Sequence, residues 1–540
     1  MSLLTLLSAP MVSAYTEAGF WGCETLYQLV ARRAEATPDA FALRERHRRL
    51  TYRDLVATAD RLATYLAGAG LRSGDRVMVW LPSRAESAVA LLACSRNSYA
   101  CCPSLHRDHR VAEVAVLADR VRAAALIAQP GYGADADRRD IFAELAGRDF
   151  LRCALPVGPP DAPPFAVLHG PAIDRPASGD PNRIMYLPFT SGTTGAPKGV
   201  MHSDNTLLAT ARMMARDWRL DGAVIYSLSP LSHNLGLGAL VTALCGGGEF
   251  VLHDLPRASS LVDRLEEAGA EFLFGVPTHA IDLVVEMRAR GLRRLGRVRG
   301  FRVSGAAAPP DLIAALIEHG IVPQSGFGMT ETCSHNYTRP DDAPERIAAT
   351  CGRACDGFEL RIWRPDAPDI AAEPGEIGEI GCRGASVMLG YFDDQAATEA
   401  AFNAEGWFMT GDLGRLDADG YLHVAGRKKD VIIRGGRNIH PLPIETAAQR
   451  CSGIAMAAAF AIPDARLGER VCLAVVMHSG RPDPAALLAD LENAGLATYQ
   501  LPEFLLPLAA MPLTPSGKTL KRELQRLVTE GALQPLPLRD

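Results

Sequence analysis

Apolar and polar positions alternate with two different periods along the first part of the chain. Over residues 52–67 apolar side chains return every three to four positions, as a helix with one buried face requires. Arg76, Val77, Met78, Val79 and Trp80 instead form a short, nearly continuous apolar run of strand length. This exchange recurs from residue 25 to residue 128, pauses at a Pro-, Asp- and Gly-rich connecting stretch over 157–181, and resumes to about residue 321. Strands that are apolar on both faces and separated by helices predict a layered α/β domain on a parallel sheet.

Beyond Glu373 the texture changes to short strands with tight turns, for example over 378–381 and 421–425, which predicts a β-rich subdomain. A second boundary follows Gly426. Arg427, Lys428, Lys429 and Asp430 precede the strand-like Val431, Ile432 and Ile433, a Gly435-Gly436 turn, and mixed helices and strands to the end. The expected domains are 1–428, built of α/β subdomains plus the β-rich one, and 429–540, a small mobile α+β domain. Residues 1–15 are mildly apolar but lack a basic segment, and Glu17 follows at once, so they are read as a frayed terminus and not a signal peptide. The longest apolar run, 235–245, ends at Gly246, Gly247, Gly248 and Glu249, short of the roughly 20 residues that span a membrane.

Composition narrows the partner. With 48% hydrophobic and 22% charged residues and a net charge of -6, the chain has no positive surplus for nucleic acid or an anionic membrane, so a small molecule is expected. The 12 cysteines are scattered, and the pairs Cys101, Cys102 and Cys351, Cys355 lack the histidines of a zinc site. Reduced thiols in a cytosolic enzyme follow. The pattern carries no signal for a particular number of copies.

Candidate chemistry begins after the apolar strand over 184–189. There Thr190, Ser191, Gly192, Thr193, Thr194, Gly195, Ala196, Pro197, Lys198 and Gly199 combine flexible backbone amides, hydroxyl donors and one ammonium, a set suited to cradling a polyphosphate. The spacing is not that of a Walker loop, because Lys198 follows Gly195 by three positions and precedes Gly199. Downstream stand Val303, Ser304, Gly305, Ala306 and Ala307 at a strand end, Phe327, Gly328, Met329, Thr330 and Glu331 after Ser325 and Gly326, Thr410, Gly411 and Asp412, and Lys518 after Pro515, Ser516 and Gly517. An aromatic face suits adenine, a threonine hydroxyl a phosphate, and a carboxylate either magnesium or ribose hydroxyls.

Taken in order, these motifs resemble those of the adenylate-forming superfamily of acyl- and aryl-CoA synthetases, adenylation domains and luciferases, and the resemblance covers almost the whole chain. It implies binding of ATP with Mg2+. Thr190, Ser191, Gly192, Thr193, Thr194, Gly195 and Lys198 form the phosphate loop, and Ser304, Gly305 and Ala306 border adenine and the acyl group. Phe327 and Gly328 lie at adenine, Thr330 at the α-phosphate, Glu331 at the metal, and Asp412 and Arg427 at the ribose. Phenylalanine at 327, where the family more often has tyrosine, keeps the stacking face and loses a hydroxyl. Lys518 matches the family lysine that bridges the acyl carboxylate and the α-phosphate, a charge whose removal lowers adenylation by orders of magnitude. Lys429 matches the hinge, and Gly436 lines the tunnel for a pantetheine arm.

His233 lies where the family carries an aromatic gate between the acid and the thiol tunnel, with a plain core or surface histidine as the alternative. Asn234 beside it resembles the residue of aryl-acid adenylating enzymes that hydrogen-bonds a ring substituent. Within the superfamily the overall impression is nearest to cyclohexanecarboxylate-CoA ligases. Two positions depart from the family: Pro443 replaces a glutamate, and Asp204 replaces a frequent histidine. The basic stretch Arg288, Arg290, Arg293, Arg294, Arg297 and Arg299 reads equally as a contact for coenzyme A phosphates or as a solvated face. The expected activity is ATP-dependent ligation of a small or medium apolar carboxylic acid, alicyclic, aromatic or fatty, to coenzyme A through an acyl-AMP. The alternative is loading of a free-standing carrier protein, since only 22 residues follow Lys518.

Overall fold

The computed structural model describes residues 4–103, 105–166, 168, 177–190, 197–256, 259–305, 308–514 and 518–539. They divide into two compact units. The first comprises residues 1–348, 352–359 and 383–402, and the second 349–351, 360–382 and 403–540.

Two sheets with helices packed against them make up the first unit. The larger runs in the order Arg353–Ala354, Cys333–Tyr337, Val322–Met329, Gly300–Val303, Phe272–Gly275, Val224–Ser227, Glu249–Leu252, Phe41–Arg44, Arg49–Thr51, parallel from Val322–Met329 through Phe41–Arg44. The smaller runs His202–Ser203, Ile184–Tyr186, Ala100–Cys102, Arg76–Trp80, Ala125–Ala128, Cys153–Pro156. The predicted α/β alternation is therefore present. Its helices start where the chemistry requires: Thr51 accepts from the Asp54 amide, and the Asp54 carboxylate accepts from the Thr51 amide, a reciprocal cap that opens Tyr52–Gly68. The apolar run at 235–245 forms the helix Asn234–Gly246, almost wholly buried. Each fully buried leucine in it, among them Leu237, Leu240 and Leu244, contributes about 1.5–3 kcal/mol. Among the described residues no helix is long and apolar enough to cross a membrane.

The second unit holds a five-stranded sheet, Ala367–Ala371, Phe358–Arg364, Gly378–Gly384, Phe408–Leu416, Leu422–Arg427. A further sheet is centred on Gly468–Met477, which pairs with Ile454–Asp464, Ile432–Arg434 and Phe504–Leu508.

Two expectations need correction. The β-rich layer begins at Phe358, upstream of Glu373, where Phe358–Arg364 and Ala367–Ala371 pair as an antiparallel hairpin. The start of the chain is not frayed over its described part. A helix spans Ala9–Glu17, the Leu6 amide donates to Leu389 O at 3.0 Å, and Trp21 Nε1 donates to Ala385 O at 2.8 Å. Asp204, one of the two departures from the family, is a buried joint. Its Oδ1 accepts from Ser95 Oγ at 2.7 Å and from the Leu26 amide at 2.9 Å, tying three helices together.

Burial raises the Asp204 carboxyl from 3.8 to about 7 against those hydrogen bonds. Because its proton is held more tightly in the folded than in the unfolded chain, its contribution is full below about pH 4 and is lost as pH rises to about 7. Asp204→Asn, which keeps an acceptor oxygen for Ser95 and Leu26, is expected to raise Tm at pH 8 and to flatten the pH dependence of Tm relative to the parent, as measured by thermal melts from about pH 5 to about pH 8.

Candidate active site

In the first unit the loop motifs gather at the carboxyl ends of parallel strands. Val322–Met329 pairs in parallel with Gly300–Val303 through Ser325, then leaves that partner and pairs antiparallel with Cys333–Tyr337, Phe327 opposite Asn336. The turn between those two strands carries Thr330 and Glu331. Gly328 is obligatory there: a β-carbon would lie 2.0 Å from the Cys333 carbonyl oxygen. Phe327 is 8% exposed and meets the His335 ring edge to face at 5.9 Å. One strand further along, the Ser304 amide donates to Gly275 O at 3.0 Å, and Gly305 turns the chain at φ +92°, a left-handed conformation that favours glycine. Ala306 lies outside the described residues.

The stem of the phosphate loop is a two-stranded ribbon, Phe189 opposite Gly199 and Thr190 opposite Lys198. Ser191, Gly192, Thr193, Thr194 and Gly195 lie outside the described residues. Two side chains that the sequence reading did not single out connect this stem to the Thr330–Glu331 turn. His202 Nε2 donates to Thr330 O at 2.7 Å, which fixes Nε2 as the protonated nitrogen and leaves Nδ1 to accept from Thr206 Oγ1 at 3.1 Å. Burial lowers the His202 pKa to about 4, so the ring stays neutral. Tyr391 donates from its hydroxyl to Glu331 Oε1 at 3.0 Å, and Lys198 Nζ lies 4.6 Å from the centre of its ring. The signal was present as His202 three residues past Gly199 and as the run Gly390, Tyr391, Phe392, but neither carries a distinctive spacing.

Behind this edge lies a narrow cleft between the helices Asp204–Asp217 and Asn234–Gly246. Leu207, Ala211, Met214, Leu237, Val241 and Phe274 make it apolar, and Asn234, Ser334, Thr210 and Thr242 are polar groups on its wall. Asn234 opens the helix Asn234–Gly246 and reaches Met329 O with Nδ2 at 3.5 Å, so the cleft adjoins the Thr330–Glu331 turn. His233 caps the same helix, its Nδ1 accepting from the Leu235 amide at 3.2 Å, and its ring lies 6.5 Å from His106. His106 in turn meets Ser232 Oγ at 2.8 Å, and burial lowers its pKa to about 4.

The basic stretch is partly paired. Arg288 meets Glu318 at 3.6 Å, Arg290 meets Asp263 at 2.5 Å, Arg297 meets Glu271 at 2.8 Å, and Arg299 donates to Trp218 O and Arg219 O. The charges of Arg288, Arg290 and Arg297 are thus met by acidic neighbours, which favours the solvated reading at those three positions.

The second unit brings together a different set. Asp412 and Arg427 stand opposite each other in the antiparallel pair Phe408–Leu416 and Leu422–Arg427, and Arg427 Nε lies 3.1 Å from Asp412 Oδ1. Burial raises the Asp412 pKa, opposed by Arg427, Lys518 and Lys429, so Lys518 lies within electrostatic reach of this carboxylate. The Lys518 amide donates to Thr514 Oγ1 at 3.0 Å, and residues 515–517 lie outside the described residues. Lys429 sits in the single turn Lys428–Asp430, its pKa lowered to about 8 by burial and by Arg427. Lys428 beside it pairs with the buried Glu379 at 2.7 Å. Gly435 and Gly436 form the exposed turn between Ile432–Arg434 and Arg437–Ile439, and Pro443 falls in the first turn of the helix Pro441–Arg450. Among the described residues no group of three or more His, Cys, Asp or Glu is placed to hold a metal. Magnesium bound with a nucleotide needs only one or two carboxylates besides phosphate oxygens, which Glu331 satisfies.

Comparison with known proteins agrees with this arrangement. Residues 30–392 match the AMP-binding enzyme family, and residues 443–518 match the AMP-binding enzyme C-terminal domain. The chain is 31% identical over 539 residues to 2-hydroxy-7-methoxy-5-methyl-1-naphthoate–CoA ligase of Streptomyces carzinostaticus, covering 95% of each. It is 34% identical over 541 residues to salicylyl-CoA synthase / salicylate adenylyltransferase of a Streptomyces species, again covering 95% of each. Among solved structures, ATP-bound MatB from Rhodopseudomonas palustris superposes with a TM-score of 0.82 at 26% identity, covering 94% of this chain and 99% of that one. The chain belongs to the AMP-binding enzyme family, with a large N-terminal and a small C-terminal domain. It is an AMP-forming ligase of the acyl-CoA synthetase class.

Gly305→Ala places a side chain in a left-handed conformation and is expected to destabilise the folded chain by about 1–3 kcal/mol, read as a lower urea midpoint with an unchanged m value.

Proposed function

We propose that this ligase activates an aryl carboxylic acid bearing a hydroxyl ortho to the carboxyl group and transfers the acyl group to coenzyme A. The observation that carries the reading is the apolar cleft with Asn234 on its wall, adjoining the Thr330–Glu331 turn. Six apolar side chains favour a ring over a charged or strongly polar acid, and one amide suits a single ring substituent. The two curated relatives described above are named for a 2-hydroxynaphthoate and for salicylate, which supports an ortho-hydroxylated ring over the alicyclic and fatty acids also compatible with the sequence.

In the first half-reaction a carboxylate oxygen of the acid attacks the α-phosphorus of ATP, forming the acyl-AMP and expelling pyrophosphate. Thr330 donates to the phosphate, Glu331 would hold magnesium, which when bound would offset the triphosphate charge, and Asp412 accepts from the ribose hydroxyls beside Arg427. We assign to Lys518 the cation that bridges the two approaching anions. In the second half-reaction the thiol sulfur attacks the acyl carbon, the thiol proton is lost, and AMP leaves with the electron pair of the broken bond. The reading includes a domain boundary at 428/429, a hinge at Lys429, His233 as the gate and Gly436 along the pantetheine path. Transfer to a free-standing carrier protein is the second reading, favoured by the adenylyltransferase half of the Streptomyces relative's name.

AMP release with coenzyme A over a panel of salicylate, benzoate, cyclohexanecarboxylate and medium-chain acids tests this. Salicylate-type acids are expected to lead the panel, and coenzyme A-independent acyl-AMP without turnover would select the carrier-protein reading. Lys518→Ala is expected to lower pyrophosphate release by about 10²–10³-fold while sparing thiol transfer from supplied acyl-AMP, read by rapid quench. Asn234→Ala is expected to lower kcat/KM for salicylate by about tenfold with benzoate little changed, the loss of one buried hydrogen bond.

A further inference from the structure

Tyr391 stands between two groups that the family reading directs to the triphosphate. It is 7% exposed, its hydroxyl donates to Glu331 Oε1 at 3.0 Å, and Lys198 Nζ lies over its ring. The backbone around it leaves little freedom. The Met201 amide donates to Gly390 O at 3.0 Å, the Tyr391 amide to Thr398 Oγ1 at 2.9 Å, and the Phe392 amide to Gly199 O at 2.7 Å. Val200 and Tyr391 face each other as an isolated antiparallel bridge. The Met388 amide donates to Glu331 O at 2.7 Å, so the segment 388–392 grips the strand that follows the phosphate loop and the carboxylate turn together.

Neighbouring Phe392 packs in an apolar cluster with Leu389 and Met201, whereas Tyr391 spends its polar end on Glu331. A tyrosine hydroxyl keeps its proton across the neutral range, so it acts there as a donor to the carboxylate. A carboxylate has two acceptor oxygens, and a donor fixed on Oε1 sets the plane of the group and leaves Oε2 for a cation. The negative face of the ring attracts the Lys198 ammonium, holding a long flexible side chain in one place.

We propose that Tyr391 is a positioning residue for magnesium-dependent triphosphate binding: its hydroxyl orients Glu331 for the cation, and its ring holds Lys198 at the stem of the phosphate loop. The inference rests on the reading of Glu331 as the metal carboxylate.

The test is calorimetric titration of α,β-methylene-ATP into the full chain, once with excess magnesium and once in EDTA, for the parent, Tyr391→Phe, Glu331→Gln and the double variant. The ratio of the two Kd values on one preparation measures the magnesium enhancement independently of the fraction folded. Tyr391→Phe is expected to reduce that enhancement about tenfold with the EDTA affinity nearly unchanged. The double variant is expected to lose no more than Glu331→Gln alone, because both act through one carboxylate. An unchanged enhancement in Tyr391→Phe, with Glu331→Gln losing it, would make Tyr391 a packing residue only and overturn the inference. Full enhancement in Glu331→Gln would remove the metal reading of that carboxylate, and the inference with it.

Discussion

The first unit depends on a single strand that changes partners midway. Val322–Met329 begins as a member of the parallel sheet and ends as half of an antiparallel hairpin with Cys333–Tyr337. A strand that turns back at the sheet edge must expose the residues of its turn there, and those residues are Thr330 and Glu331. The sheet edge is where parallel α/β folds collect ligands, because the loops that leave neighbouring strands converge on it. Ser304 and Gly305 leave the adjacent strand at the same edge, and Asn234 reaches Met329 from the helix that follows strand Val224–Ser227. His202 and Tyr391 then fix the turn from the phosphate-loop side, one through a backbone carbonyl and one through a carboxylate oxygen.

The second unit uses the same economy with a different device. Register places Asp412 directly across from Arg427, so an ion pair comes with the ladder and needs no loop to build it. Burial alone drives such a carboxyl toward its neutral form, and three cations, Arg427, Lys518 and Lys429, oppose that drift. A carboxyl group carries two oxygens, enough acceptors for a pair of hydroxyls.

Much of this was legible in the sequence because it rests on local pattern. Helical periodicity over 52–67, the apolar strand at 76–80 and the β-rich texture past 373 correspond to observed elements, though the β layer begins fifteen residues earlier, at Phe358. The phosphate-loop, Thr330–Glu331 and Asp412 motifs stood out because several chemically loaded residues fall together. Tyr391, His202 and the wall of the cleft were not legible. Each is defined by what it touches across long stretches of chain, 60 residues from Tyr391 to Glu331 and 128 from His202 to Thr330, and a buried tyrosine or histidine has the same sequence signature whether it packs or positions. The arginines between 288 and 299 show the converse: Arg288, Arg290 and Arg297, part of a run of like charge in sequence, meet Glu318, Asp263, Glu286 and Glu271 in space.

The central claim is that the apolar cleft beside the Thr330–Glu331 turn presents an aryl carboxylate to ATP. Acid-dependent exchange of labelled pyrophosphate into ATP, in the absence of any thiol, measures that step alone. The account predicts exchange with salicylate-type acids that is silent without acid. Nucleotide binding with no exchange for any aryl acid would contradict it.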